Sequence, residues 1–293
     1  MGALFQLFIN GLINGIIYSL LAIGFGIVYR TTRIFHIAYA GFYTLSAYLF
    51  FTFFKVLKLP FFISLILSLF SISVSGYLIE RFVYLPFYEK KSSSGVIFIA
   101  SLGIYIIIVN LIALIFGNEI KIILEGVQPS YSFYGIMLTR IQIIQALIGF
   151  ILILIFSIMA KKSKIIKALW AMGDEPELLI SLGLPFYNLR KLAFIISSFF
   201  VFTSSLLTVI DIGTNPHVGL PALLTSVVAV IIGGIDRLSG WILGSFTIAL
   251  IQSLVIWKFS ANWAPLATFL ILILILLLRP QGIIGTKKRI EEI

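Results

Sequence analysis

The chain has 293 residues, 60% of them apolar and 11% charged, with no cysteine and a formal net charge of +10. So little polar surface cannot clothe a soluble globule, so the composition specifies an integral membrane protein and sets aside a soluble enzyme. The positive charge falls in short loops between apolar runs, which marks it as a topology signal rather than a nucleic-acid footprint. The missing cysteines exclude disulfides, thiol catalysis and thiolate metal ligands.

Uncharged runs cover 3–29, 34–54, 59–79, 92–118, 141–160, 192–210, 212–235, 238–257 and 259–278. A spanning helix needs about 20 residues, so each run is long enough. The expected fold is an all-α polytopic transmembrane bundle of eight to ten spans, nine on the direct count, with one or two interrupted helices. It forms a single domain over 1–293. The first run lacks a basic leader and a small-residue cleavage site, and so reads as a span of the mature chain.

In that run Gly11, Gly15 and Ser19 form a row of small residues four apart, the spacing that lets helix backbones approach. Asn10 and Asn14 lie on an adjacent strip and need partners. Asn14 is a candidate for lining a pathway, with an interhelical hydrogen bond as the plainer reading. The second run opens on His36-Ile37-Ala38-Tyr39-Ala40-Gly41, close behind Arg30 and Arg33. His36 reads as an interfacial residue at a helix start, and His36 and Tyr39 join the candidates for a translocation path. The chain's other histidine is His217, and no HExxH motif is present, so no metal site is expected.

The longest polar interruption is 161–191, with six of the 21 basic residues and three of the 11 acidic ones. It reads as two short helices at a membrane surface, the second capped by Asp174 and opening on Pro176 and Glu177. Such a loop is either a docking handle or a structured loop with no partner.

Between the sixth and seventh runs stands Asp211-Ile-Gly-Thr-Asn-Pro-His-Val-Gly-Leu-Pro221, where glycine and proline break the helix while Asp211, Asn215 and His217 offer polar groups. Non-helical backbone at membrane depth must be covered by protein or reached by water, so this is an outer loop or a lining of the pathway. Gly233 and Gly234 then precede Asp236-Arg237 in a tight turn, with Gly240 and Gly244 as a second small-residue row. Arg279-Pro280-Gln281-Gly282 stops the last span.

With nine alternating spans, one face receives 16 of the 21 basic residues and the other only Lys55, Lys58, Lys121, Arg140 and Lys258. The enrichment of Lys and Arg in cytoplasmic loops places loop 161–191 and the C-terminus in the cytosol and the N-terminus outside. A re-entrant 212–235 would invert the tail, which its TKKR sequence opposes.

These residues carry a resemblance. NGLINGIIYSLLAIGFGIVY (10–29), AMGDEPELLISLGL (171–184), the turn at 233–240 and LLLRPQGIIG (276–285) are similar, in order, to motifs of the branched-chain amino acid permease family, membrane subunits of prokaryotic ABC importers. The resemblance implies a multi-pass protein of the cytoplasmic membrane with no cofactor of its own. It implies partners: cytosolic ABC ATPase subunits, a second related permease or a second copy, and an extracytoplasmic solute-binding protein. It further implies that loop 161–191 docks on the ATPase, with Ala171, Asp174, Glu175 and Gly183 at the matching positions. The chain has no G-x-x-x-x-G-K-[ST], so ATP hydrolysis would lie on another polypeptide. It departs from the family at 36–40, where the histidine is displaced and a glycine lost, and around Leu178 and Leu179. A secondary transporter or channel and a membrane-embedded lipid-modifying enzyme are the rival readings.

Overall fold

The computed structural model describes residues 2–284 apart from 125, 127, 134 and 135. Helix α1 (Gly2–Thr32) is followed by α2 (Ala38–Phe51), which runs on through a π-helical turn at Thr52–Val56. Next comes α3 (Phe61–Ile79), continued by a π-helical segment at Glu80–Tyr84 into α4 (Leu85–Glu89), and then α5 (Ser94–Phe116). A hairpin of β1 (Ser130–Phe133) and β2 (Ile136–Thr139) leads into α6 (Arg140–Lys162). The chain continues through α7 (Lys164–Asp174), α8 (Pro176–Ser181) and α9 (Phe186–Ile212). It closes with α10 (Gly219–Gly233), α11 (Leu238–Lys258) and α12 (Ala264–Leu278).

The nine apolar runs thus correspond to α1, α2, α3, α5, α6, α9, α10, α11 and α12. Seven helical stretches among the described residues are long and apolar enough to cross a membrane. The two runs that fail that test are α2 and α10, and both sit inside the bundle. Helix α2 is packed by α3, α5, α9 and α10, and α10 by α1, α2, α11 and α12. A helix walled by protein needs no continuous greasy surface, which is why α2 tolerates Tyr39, Tyr43, Thr44, Ser46 and Tyr48. By contrast α12, α5, α3 and α6 leave most of their apolar surface exposed, as lipid-facing helices do.

Helix α10 is shorter than the run 212–235. Fifteen residues at 1.5 Å each extend about 22 Å, against a hydrocarbon layer of about 30 Å. Gly213, at φ +80°, stops α9, and Thr214 pairs with Lys121 through backbone hydrogen bonds of 2.8 and 2.9 Å. The chain then folds back into the bundle. Thr44 donates to the Pro216 carbonyl at 3.4 Å, and Gly219 lies directly on the Ala40 carbonyl. At Gly213, Thr214 and Pro216 the irregular backbone is covered by protein, the condition for keeping it away from lipid.

Small-residue rows seat the helices as their spacing predicts. Gly11 and Gly15 receive Leu250 and Phe246 of α11, while Gly240 and Gly244 lie against Gly233 and Ala229 of α10. Two polar links cross the core on the side of the Arg30 end of α1. Arg190 donates to Glu80 at 2.6 Å with both side chains buried. His36 Nδ1 lies 2.8 Å from the Tyr84 hydroxyl, which donates to Ser101 Oγ at 2.7 Å.

The termini of these elements sort onto two faces. One carries Arg30, Arg33, the 80–91 segment, α7, α8, the 234–237 turn and the 279–284 segment; the other carries the hairpin, Lys121, Arg140 and Lys258. The charge asymmetry of the sequence is therefore an asymmetry of the folded molecule. Lys287, Lys288 and Arg289 lie outside the described residues.

Candidate functional site: a polar cavity open on the hairpin face

Membrane helices of this composition have few polar side chains to spare, so where those side chains converge is informative. Here they converge on one cavity of about 540 Å³, walled by α1, α2, α6, α9, α10, α11 and α12. From α1 come Asn10, Asn14 and Tyr18, one helical turn apart on a single face, and from α2 comes Tyr43. Gln142 and Gln145 enter from α6, Thr208 and Asp211 from α9, and Thr225, Gln252 and Thr268 from the last three helices.

Several of these groups are already tied to each other. Tyr18 donates to Gln252 Oε1 at 2.8 Å, and Gln252 Nε2 donates to Thr268 Oγ1 at 2.7 Å, so α1, α11 and α12 share one polar chain. Gln145 donates to the Leu207 carbonyl at 2.7 Å, beside Asp211 on the next turn of α9. Above them Gln6 bonds Asn10 at 3.0 Å and clasps the hairpin through both backbone groups of Met137. Thr139 and Gln142 form a reciprocal capping box that fixes where α6 starts.

The largest apolar side chains of the lining are Ile13, Ile17, Leu21, Ile212, Leu224 and Phe269. Leu21 lies 11 residues from the end of α1, about 16 Å, so the cavity closes well short of the basic face. Toward that face the packing is continuous: Leu20, Leu21, Ala22, Ile23 and Phe25 are all buried. The arrangement is a one-sided vestibule with a mixed polar and apolar wall and one carboxylate, Asp211.

Of the path candidates read from the sequence, Asn14 and Asp211 line this cavity. His36 and Tyr39 do not. His36 is 1% exposed and enclosed by Tyr39, Phe42, Tyr84 and Phe194, so it is a core residue rather than an interfacial one. The Tyr39 hydroxyl donates to the Leu21 carbonyl at 2.9 Å, below the cavity. Asn215 turns its side chain onto the His217 amide at 2.9 Å, and His217 is exposed. Gln145, Gln252 and Thr268 were not singled out in the sequence, although an amide in an apolar run is the same signal that drew attention to Asn14. No cluster of three or more His, Asp or Glu able to hold a metal occurs among the described residues.

A second surface lies on the basic face. Helix α7 buries Ile166, Leu169 and Met172 against the bundle, with Gly173 pressed on the Arg30 carbonyl. Ala171, Asp174, Glu175 and Gly183 are exposed. Asp174 ends α7 and pairs with Arg30 at 3.4 Å instead of capping α8, because the cap position falls on Glu175 and Pro176 takes the first helical position. Beyond it Leu178, Ile180, Leu182 and Leu184 project from α8 and its exit turn, four apolar side chains at 42–68% exposure.

Comparison with known proteins places this architecture. The family described as "Branched-chain amino acid transport system / permease component" matches residues 7–278. The chain belongs to that family. Relatives of this permease include BraD of Pseudomonas aeruginosa, a high-affinity branched-chain amino acid transport system permease protein, 26% identical over 98% of this chain and 97% of that protein. LivH of Escherichia coli K12 is 24% identical over the same shares, and a probable LivH of Methanocaldococcus jannaschii is 26% identical over 93% and 91%. Among solved structures, PsaBC from Streptococcus pneumoniae in complex with Fab shares the fold, with a TM-score of 0.53 at 16% identity, covering 93% of this chain and 91% of that one. The permease is a multi-pass membrane protein and a transport subunit, not an enzyme.

Proposed function

We propose that the permease is the membrane subunit of an ATP-driven ABC importer that carries branched-chain or closely related amino acids across the cytoplasmic membrane. The vestibule supports this reading. Asp211 suits an α-ammonium group, the amides and hydroxyls around it suit a carboxylate, and Ile13, Ile17, Leu21 and Phe269 suit a branched side chain. Its volume lies within the usual range for small-solute sites. In this reading the hairpin face is extracytoplasmic, where a solute-binding protein delivers its cargo, and the basic face is cytosolic, which puts the N-terminus outside and the C-terminus inside. A second permease, related or identical, completes the pathway.

The apolar edge at Leu178, Ile180, Leu182 and Leu184 is then the contact for a cytosolic ATPase subunit. Asp174, Glu175 and Gly183 flank it, and Ala171 lies on the exposed side of α7. Free energy enters through this contact, since the chain carries no phosphate-binding loop of its own.

The test is uptake of labelled leucine into proteoliposomes holding the permease with its ATPase and permease partners. ATP-dependent uptake is expected, and Asp211→Asn should raise the half-saturating concentration about tenfold, the loss of one charge-assisted hydrogen bond of about 1.5 kcal/mol. Equal uptake by the permease alone without nucleotide would instead identify a secondary transporter or channel.

A further inference from the structure

The inner end of α10 is fastened to its surroundings at three places. Gly233 abuts Gly240 so closely that a Cβ on either would collide with the other's carbonyl oxygen. The amides of Ile283 and Ile284 donate to the Ile232 and Gly233 carbonyls at 2.7 and 3.1 Å, occupying acceptors that a helix end leaves free. Trp241, which has no exposed surface, donates its indole N–H to the Ile235 carbonyl at 3.0 Å and packs its ring over Gly26 of α1. These contacts tie the turn 234–237 and the inner end of α10 to Trp241.

Trp241 is touched by the 161–191 element. Trp170 of α7 meets it edge to face, ring centres 5.8 Å apart and planes at 80°. Trp170 is also held by Arg30, whose guanidinium lies 4.5 Å from the ring centre and pairs with Asp174. At the far end of α10, Pro221, Ala222, Leu224 and Thr225 form part of the cavity wall. Leu224 and Gly233 are nine residues apart, about 13 Å along an unbroken helix. The irregular 213–218 segment separates α10 from α9, so α10 is not continuous with the helix before it and a shift must slide it along α1, α2, α11 and α12.

We infer that Trp170 is a positioning residue for transport: it transmits displacement of the 161–191 element through Trp241 to α10, which moves the wall of the cavity as a rigid strut. This rests on the importer reading, in which an ATPase displaces that element. Close-packed aromatic and glycine contacts compress little, so displacement of Trp170 bears on Trp241 and, through the Gly233–Gly240 contact, on the inner end of α10.

The chain contains no cysteine, so Thr225→Cys gives it a single reporter. The measurement is the rate at which a membrane-impermeant maleimide labels this subunit in the assembled transporter, nucleotide-free and trapped with ATP and vanadate. The two rates should differ at least fivefold. Trp170→Ala should abolish that difference and uptake while leaving ATP hydrolysis and the nucleotide-free labelling rate intact, and Trp170→Phe, which keeps a ring edge, should restore both. Should Trp170→Ala fail to assemble, Trp170→Leu is judged by the same criteria. A nucleotide-dependent difference that survives in Trp170→Ala or Trp170→Leu overturns the inference, and so does labelling indifferent to nucleotide in a transporter whose uptake remains ATP-driven. Uptake that needs no nucleotide would instead remove the importer reading on which it stands.

Discussion

Glu80 and Arg190 offer a quantitative test of how this fold is held together. Arg190 Nε lies 2.6 Å from Glu80 Oε1, and the side chains are 2% and 0% exposed. Tyr88 and Phe186 stack on the guanidinium at 4.6 and 5.8 Å. Removing one partner of such a pair strands the other, at a cost of about 3–5 kcal/mol. The two single variants should nevertheless differ. After Glu80→Leu the guanidinium has no way to shed its proton, so the cost should be independent of pH. After Arg190→Leu the carboxylate can take up a proton, which for an ordinary glutamate at pH 7 costs about 4 kcal/mol and at pH 5.5 about 1.6 kcal/mol. The second variant should therefore recover stability, relative to the unaltered chain, as the pH is lowered. Glu80→Leu with Arg190→Leu should cost several kcal/mol less than the sum of the singles. Reversible denaturation of purified permease in mixed micelles, followed by tryptophan fluorescence between pH 5.5 and 7.5, measures all three. Additive costs, or a pH-independent Arg190→Leu, would show that the pair does not behave as a buried ion pair.

Gly233→Ala places a methyl group against the Gly240 carbonyl and should destabilise the permease by about 1–3 kcal/mol, read in the same denaturation assay. Asp174→Lys removes the partner of Arg30 and should cut uptake at least tenfold while ATP hydrolysis by the assembled transporter continues. Gly183→Trp should do the same: the space around Gly183 is open, so the indole changes the docking surface, and the cost of about 1–2 kcal/mol for a side chain at φ +74° falls on the exit turn of α8 rather than on the core. Reporter fusions at Gly95 and Lys288 should report one side of the membrane and a fusion at Gly126 the other; agreement of all three would refute the topology.

Much of the architecture was legible because a bilayer imposes a simple rule: each crossing must present about 20 apolar residues and satisfy its own backbone. The apolar runs therefore matched helices, and the small-residue rows at Gly11, Gly15, Gly240 and Gly244 matched close contacts. Asp174, Glu175 and Gly183 stand out in the sequence by resemblance to a motif and are exposed in the structure, whereas the neighbouring apolar edge at Leu178 and Ile180 reads in the sequence as a departure and only its exposure makes it a surface. Proximity to Arg30 and Arg33 indicates an interface for His36, whereas Phe42, Tyr84 and Phe194, from elements distant in the chain or one turn on, close over the ring.

By itself, the sequence determined that this is a polytopic membrane protein, where its apolar helices lie along the chain, how its basic residues divide between two faces, and the family to which it belongs. These properties follow from local composition, spacing and short motifs. Only the tertiary structure decided that Asn14, Gln145, Asp211, Gln252 and Thr268 meet in one vestibule, that α10 starts inside the bundle, and that Trp170 touches Trp241. Such facts depend on how helices far apart in the chain are rotated against one another, and an apolar helix in a uniform hydrocarbon layer carries almost no record of its own rotation beyond a few polar or small side chains.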